Sequence, residues 1–298
     1  MNTKSAMIAI CGRPNVGKST LTNTIVGEKI AIVSNKPQTT RNRICGILTK
    51  DDTQFVFMDT PGFHKPRTKL GDYMVNVVQE SVSDVDLALL LVEPIANIGP
   101  QEQALMDQFR QRKVPAVLVI NKIDTIEDKD ALLAVIALYS QAFAFDAIIP
   151  LSAKTKEGVE ELLSVCAGYA VQSPWFFPEG ETTDQPERQV IAEIIREKML
   201  WNLDKEIPHG TAVEITRFSE RDNGIVDVEA TIYCEKASHK GIIIGKGGQM
   251  LKKISSQARA DCERFMGTKV YLQTWIKVKE NWRDSDFLIR NFGYRRDQ

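Results

Sequence analysis

The eight residues Gly12-Arg13-Pro14-Asn15-Val16-Gly17-Lys18-Ser19 fit the pattern GxxxxGK[ST], and their flanks limit the fold more than any other feature of the chain. An apolar run, Ala6 to Cys11, leads in, and a helical run, Thr20 to Val26, leads out. A strand that enters a glycine turn and leaves as a helix is a phosphate-binding loop. The glycines let backbone N–H groups close around the phosphates, Lys18 brings positive charge to the β- and γ-phosphates, and the Ser19 hydroxyl ligates Mg²⁺. Thr20, opening the helix, joins the candidate contacts. Such a loop belongs at the carboxyl end of a strand in an α/β sheet.

The residues up to about 170 agree. Runs at Cys45 to Lys50, Gln54 to Asp59, Asp86 to Val92, Ala116 to Asn121 and Ile148 to Ser152 alternate with longer helical patterns. Most lack strict period-two alternation, as expected of strands covered on both faces by crossover helices. Asp51, Asp52 and Thr53 are too few for a crossover, so the second and third strands form an antiparallel hairpin at the edge of a mixed, mostly parallel sheet. With 298 residues there is room for a second domain. The longest apolar runs fall far short of the roughly 20 residues that cross a bilayer. The N-terminal residues lack an apolar stretch with a cleavage site, so a cytosolic location is expected. Cys11, Cys45, Cys166, Cys234 and Cys262 are scattered and never spaced as CxxC, which argues against a disulfide framework or a zinc site.

Three further motifs follow in order. Asp59-Thr60-Pro61-Gly62 ends the third strand, placing a carboxylate near the metal and the Gly62 N–H where a γ-phosphate would sit. Asn121-Lys122-Ile123-Asp124 ends the fifth. The two oxygens of Asp124 match the N1 and N2 donors of guanine, a pairing adenine cannot make because its N1 is an acceptor. Ser152-Ala153-Lys154 ends the sixth, where the Ala153 N–H reaches for guanine O6. GTP and GDP with Mg²⁺ are therefore the expected ligands.

With these motifs the first half resembles the translation-factor class of P-loop GTPases. By that resemblance, a threonine of Pro37-Gln38-Thr39-Thr40-Arg41 touches Mg²⁺ and γ-phosphate in the GTP state: Thr40 by likeness to the TR pair of related GTPases, with Thr39 second. Ser19, Thr40 and Asp59 are then the metal set, and Lys18, Thr40, Gly62 and Asn15 the catalytic set. One departure stands out. Ras-like members place a water-orienting glutamine after the DxxG glycine, whereas this chain has Phe63, so hydrolysis is organised differently. Related GTPases with GRPNVGKS use a potassium ion held partly by the asparagine, which makes Asn15 the candidate K⁺ ligand. His64, beside Lys65, reads as a solvated loop histidine.

Residues 173–186 hold three prolines and a glycine without helical or strand period and read as a linker whose Trp175, Phe176 and Phe177 pack onto a domain. The expected parts are 1–172, 173–186 and 187–298. The last follows an α-β-β-α-α-β order: helix Val190 to Leu203, strands Thr211 to Phe218 and Ile225 to Cys234 about an Asn223-Gly224 turn, a glycine-rich stretch, helix Met250 to Phe265, and strand Lys269 to Val278. Between residues 236 and 283 lie eleven basic and three acidic side chains, although the whole chain carries 38 and 39. That local excess is an electrostatic footprint for nucleic acid.

Gly245-Lys246-Gly247-Gly248, after Ile242-Ile243-Ile244, is a GxxG loop. With the element order it fits a type II KH module, which makes the second part a smaller α+β RNA-binding domain. Ile244, Gly245, Lys246, Gly247 and Gly248 would line the strand, with Lys236, Lys240, Lys252 and Lys253 facing phosphates. A GTPase domain followed by such a module resembles the Era GTPases over nearly the whole chain, including PQTTR and IIGKGGQMLKKI. That resemblance implies binding near the 3′ end of small-subunit (16S) ribosomal RNA, a role in 30S assembly under GTP control, peripheral membrane association, and a monomer. The competing class is a signalling or membrane-docking GTPase whose second domain binds a protein.

Overall fold

The structure is a computed structural model that describes residues 3–62, 68–83, 85–127 and 129–294. The chain divides into two compact units, Met1–Ala31, Thr40–Pro66 and Gly71–Asp184 in the first, Ile32–Thr39, Arg67–Leu70 and Gln185–Gln298 in the second.

The first unit alternates strands and helices: β1 (Lys4–Gly12), α1 (Lys18–Val26), β2 (Ile44–Lys50), β3 (Thr53–Asp59), α2 (Lys69–Ser81), β4 (Leu87–Val92), α3 (Pro100–Arg112), β5 (Ala116–Ile120), α4 (Lys129–Ala142), β6 (Ala147–Pro150), α5 (Val159–Ala167) and a two-residue β7 (Val171–Gln172). The sheet order is β2-β3-β1-β4-β5-β6, with β7 antiparallel on β1. β2 and β3 are antiparallel as their short connection requires, and the other neighbours are parallel. Every residue of β4 and β5 is buried, because helices cover both faces. Two apolar clusters result, one gathering Ile8, Ile10, Leu89 and Val119, the other Ala9, Leu90, Leu118 and Phe109.

Residues 173–184 lie against the hairpin edge rather than hanging free. Gln54 holds Phe177 at both ends of its amide, Nε2 donating to the Phe177 carbonyl at 3.0 Å and Oε1 accepting its N–H at 3.0 Å. Trp175 Nε1 donates to the Asp52 carbonyl, the Cys45 N–H to Asp184, and Gly46 bridges Thr183. The segment thereby covers the exposed edge of β2. Of the three aromatics, Phe176 stays half exposed.

The second unit is α6 (Glu187–Asn202), β8 (Thr211–Glu220), β9 (Val226–Cys234), α7 (Ala237–Ile244), α8 (Gln249–Met266), β10 (Val270–Val278) and α9 (Asp286–Asn291). Its sheet runs β10-β9-β8, parallel between β9 and β10 and antiparallel between β8 and β9. Ile191, Ile195, Val228, Ile232, Ile254 and Ala258 fill its core. Within this unit α6 also carries the backbone of residues 32–39: Glu197 accepts the Val33 N–H at 2.9 Å, Trp201 Nε1 donates to the Val33 carbonyl at 2.9 Å, and Arg196 donates to the Thr39 carbonyl. Arg196, Glu197 and Lys198 are buried, and Lys198 is paired to Glu197 at 2.7 Å and to Asp261 at 2.5 Å. No helix among the described residues is long and apolar enough to cross a membrane.

Candidate functional site

The four motifs of the first unit meet at the carboxyl ends of β1, β3, β5 and β6. Two glycines are there for reasons of space as well as conformation. A Cβ on Gly12 (φ +149°) would collide with the Leu91 carbonyl oxygen, and one on Gly17 (φ +99°) with the Asn121 amide. Asn15 takes a left-handed conformation, φ 67°, and is exposed at the turn. Pro14 sits against Gly62, where a Cβ would lie 2.8 Å from the proline ring, so the DxxG glycine approaches the loop closely.

Lys18 is buried and its ammonium donates to the carbonyls of Gly12 at 3.1 Å and Arg13 at 2.8 Å. Burial lowers its pKa, against the pull of Asp59. Ser19 Oγ lies 2.8 Å from Thr40 Oγ1, which lies 3.5 Å from Asp59 Oδ2. The structure thus brings Thr40 to Ser19 and Asp59, whereas the Thr39 hydroxyl donates to the Lys36 carbonyl at 2.6 Å. Burial pushes the Asp59 carboxyl up to about 6, opposed first by the charge of Lys18. Its Oδ1 is buried with no hydrogen-bond partner among the described residues. One orphaned carboxylate oxygen beside two hydroxyls is a hard oxygen-donor set and fits Mg²⁺. Thr60 turns away, its hydroxyl donating to the Ile10 carbonyl at 2.8 Å and pinning β3 to β1.

At the other end, Asn121 ties the base pocket to the loop. Its Nδ2 donates to the Val16 carbonyl at 2.8 Å and its Oδ1 accepts the Ala153 N–H at 3.0 Å. That N–H is the one expected at guanine O6, so serving the base requires sharing or exchanging this bond. Ser152 Oγ donates to Asp124 at 2.7 Å, fixing one oxygen of an otherwise exposed carboxylate. The Lys122 ammonium donates to the Asn15 carbonyl at 2.7 Å and pairs with Glu93 at 2.6 Å. Lys154 is exposed beyond Ala153, and Thr20 is half-buried in the first turn of α1. Phe63 and His64 lie outside the described residues.

Sequence reasoning missed two supports. The Arg13 guanidinium leaves the phosphate side and forms an ion pair, without a well-directed hydrogen bond, with the fully buried Glu102 of α3. Glu102 also accepts the Gly99 N–H at 3.0 Å. A G-x-x-E spacing at a helix start is a capping signal and could have found that bond, but nothing local announces Arg13. The Thr24 hydroxyl donates to the Ala153 carbonyl at 2.8 Å and carries α1 to the base loop.

In the second unit the GxxG loop joins α7 to α8. Gly245, Gly247 and Gly248 have φ of 74°, 57° and 79°, and a Cβ on Gly245 would press on Met250. Lys236, Lys246, Lys252 and Lys253 are exposed and Lys240 half-exposed. None of the five pairs with a carboxylate among the described residues, whereas Arg259, Arg264 and Arg283 all do. Ile243 is buried beneath the loop, while Ile244 is half-exposed beside it. Free charge and open backbone thus coincide at the loop.

The class defined by this fold and site is a P-loop GTPase domain continued by a KH domain. A family described as 50S ribosome-binding GTPase matches residues 7–122, and one described as KH domain matches residues 206–283. GTPase Era of Ruminiclostridium cellulolyticum is 53% identical over 295 residues, covering 99% of each chain. GTPase Era of Clostridioides difficile is 51% identical, covering 98% of each. Two solved structures are similar with TM-score 0.94 and 34% identity, covering 98% of this chain and 99% of theirs. They are Era in complex with MgGDPNP and nucleotides 1506–1542 of 16S ribosomal RNA, and a variant of Aquifex aeolicus Era bound to GDP and AlF4⁻. The chain belongs to the Era family of GTPases.

Proposed function

We propose that this chain binds GTP with Mg²⁺, hydrolyses it slowly to GDP and phosphate, and in the GTP state holds small-subunit ribosomal RNA near its 3′ end during 30S assembly. The observation that carries this reading is the convergence of Ser19, Thr40 and Asp59 beneath the phosphate loop, in a chain that matches Era proteins from end to end. The relative solved with 16S ribosomal RNA covers 98% of this chain and supports the RNA partner, whereas the match described by the large subunit covers residues 7–122.

Lys18 exchanges its two backbone carbonyls for β- and γ-phosphate oxygens, a trade its burial favours because the ammonium gains an anion. The Gly62 N–H faces the γ-phosphate. Ser19, Thr40 and Asp59 would hold Mg²⁺, which would supply positive charge to the phosphates. The glutamine that orients water in Ras-like enzymes is absent, and Asn15 would help hold a K⁺ ion whose charge would compensate; equal rates in potassium and sodium buffers would remove that role. Asp124 reads guanine N1 and N2, and Asn121, Lys122 and Ser152 position it.

Residues 1–172 work as the switch, 173–186 as the connection, and 187–298 as the RNA-holding part. The strand runs along Ile244 to Gly248, with phosphates toward Lys236, Lys240, Lys246, Lys252 and Lys253. The protein acts as a monomer in the cytoplasm, with peripheral association with the inner face of the membrane as a further part of the reading that vesicle flotation tests. Crosslinking and sequencing of bound RNA should recover the 16S 3′ end with a GTP analogue and lose it with GDP. Equal recovery in both states, or recovery of a protein partner and no RNA, would contradict the reading.

A further inference from the structure

The three-stranded sheet of the second unit has a face turned away from its helices, and its two ends differ. Val226, Val228, Ala230, Ile232 and Cys234 of β9 point into the core, so Asp227, Glu229, Thr231 and Tyr233 point outward. On β10, core-facing Val270 and Ile276 leave Tyr271, Gln273, Trp275 and Lys277 on the outer side. At one end this face is closed: Tyr233 packs on Phe292 with ring centroids 4.6 Å apart, Phe292 on Trp282 at 5.3 Å, and Trp282 is fully buried with Nε1 donating to the Gly210 carbonyl.

The other end is open. Tyr271 and Trp275 are large rings that remain 50% and 57% exposed. They stand about 13 Å apart on one side of an edge strand, with the Gln273 amide between them donating to the Tyr271 hydroxyl. Arg221 lies over the Tyr271 ring at 5.2 Å. The acids of this end are already neutralised. Asp227 is gripped by Arg221, whose hydrogen bonds hold its carboxyl below the usual range, and Glu229 is paired with Arg217 at 3.5 Å. Lys277, opposite Tyr233 in register, and Lys279 carry the row from the two rings to the closed end, where both are exposed and have no carboxylate partner among the described residues. The outward neighbours of the two rings among the described residues, Asp227, Glu229, Thr231, Gln273 and Lys277, are polar, which suits a stacking, hydrogen-bonding ligand better than a protein partner's apolar side chains.

We propose that the outer face of β10 is a second nucleic-acid contact, where unpaired RNA bases stack on Tyr271 and Trp275 while their phosphates lie toward Lys277 and Lys279. Two aromatic rings with an intervening hydrogen-bonding side chain on an open sheet, rimmed by unpaired cations, suit stacking of single-stranded bases. The proposal rests on the RNA-binding reading above and extends it. A GxxG loop clamps four backbone nucleotides, whereas nucleotides 1506–1542 are present in the relative's complex. A longer RNA therefore has strand to spare for a second surface of the same unit.

The test compares a ten-nucleotide RNA from the 16S 3′ end with the fragment 1506–1542, measured by fluorescence anisotropy on the full chain with a GTP analogue. Tyr271→Ala with Trp275→Ala should weaken the long RNA about tenfold or more and leave the short one within about twofold. Tyr271→Phe with Trp275→Phe should restore most of the loss, since the π-faces remain. An unchanged affinity for the long RNA overturns the proposal, and so does an equal loss for both RNAs. A double variant that keeps both affinities but no longer cofractionates with 30S subunits would make the face a protein-docking surface and overturn it too. Wild-type protein that grips both RNAs equally removes this contact alone, while wild-type protein that binds neither removes the RNA-binding reading with it.

Discussion

The nucleotide site and the GxxG loop are both glycine-rich turns before a helix, yet they are built on opposite plans. Around Gly12 to Ser19 the polar groups, the exposed Asn15 apart, are enclosed or half-enclosed and already committed to partners: Lys18 to two carbonyls, Asn121 to Val16 and Ala153, Arg13 to Glu102. Around Gly245 to Gly248 the lysines are exposed or half-exposed, and none pairs with a carboxylate among the described residues. A compact ligand of fixed shape is recognised by donors set in place before it arrives, inside a low-dielectric pocket where each is worth much. A polymer with a repeating charge is held by many interchangeable cations in water, each worth little. Large, specific losses are therefore expected from single changes in the first region, and small, salt-dependent, additive ones in the second.

The largest effect should come from Lys18→Ala, which is expected to lower kcat/KM for GTP by about 10³ or more, measured by phosphate release, while leaving RNA binding of the nucleotide-free protein intact. A loss below tenfold would erase the contrast. Next, Asp124→Asn should cost guanine recognition about 2–4 kcal/mol and turn the preference toward xanthine, whose C2 carbonyl accepts from the new amide. Competition between GTP and XTP reads it directly.

Asp59 gives a pH signature. Its folded pKa, about 6, is raised above the ordinary 3.8 by burial, so the folded state holds the proton more tightly. Metal-free protein therefore loses stability as pH rises from about 4 through 6, by at most about 3 kcal/mol. Asp59→Asn should flatten that dependence and be the more stable protein at pH 8 without Mg²⁺, as followed by urea unfolding. The opposite order would mean that Asp59 is solvated rather than buried. At the small end, Lys246→Gln should reduce the slope of log affinity against log salt by about 1 and weaken RNA a few-fold, with no change in GTP hydrolysis.

The two regions also differ in how much of them the sequence exposes. The nucleotide motifs were legible because each is a contiguous string whose chemistry fixes its residue types, and because an uninterrupted apolar run such as Leu87 to Val92 has few folds open to it. The KH element order was legible from the switch between period 2 and helical spacing. What stayed hidden lies in pairings between distant positions. Arg13 and Glu102 stand far apart in sequence, and neither residue type demands the other. Gln54 reads as an ordinary strand residue until Phe177 lies beside it. β7, two residues long, is too short to show a period. On β10 the alternation of Tyr271, Gln273, Trp275 and Lys277 was visible, but which face the helices would leave bare depended on the packing of α6 and α8.

The claim beneath all of this is that the occupant of the buried, preorganised site governs the grip of the open, cationic one. Anisotropy titration of a fluorescent 16S 3′-end RNA onto the full chain, with Mg²⁺ and either GDPNP or GDP, tests it most directly. Tighter binding with GDPNP, lost with Lys246→Glu, is the predicted result; identical curves with the two nucleotides would contradict it.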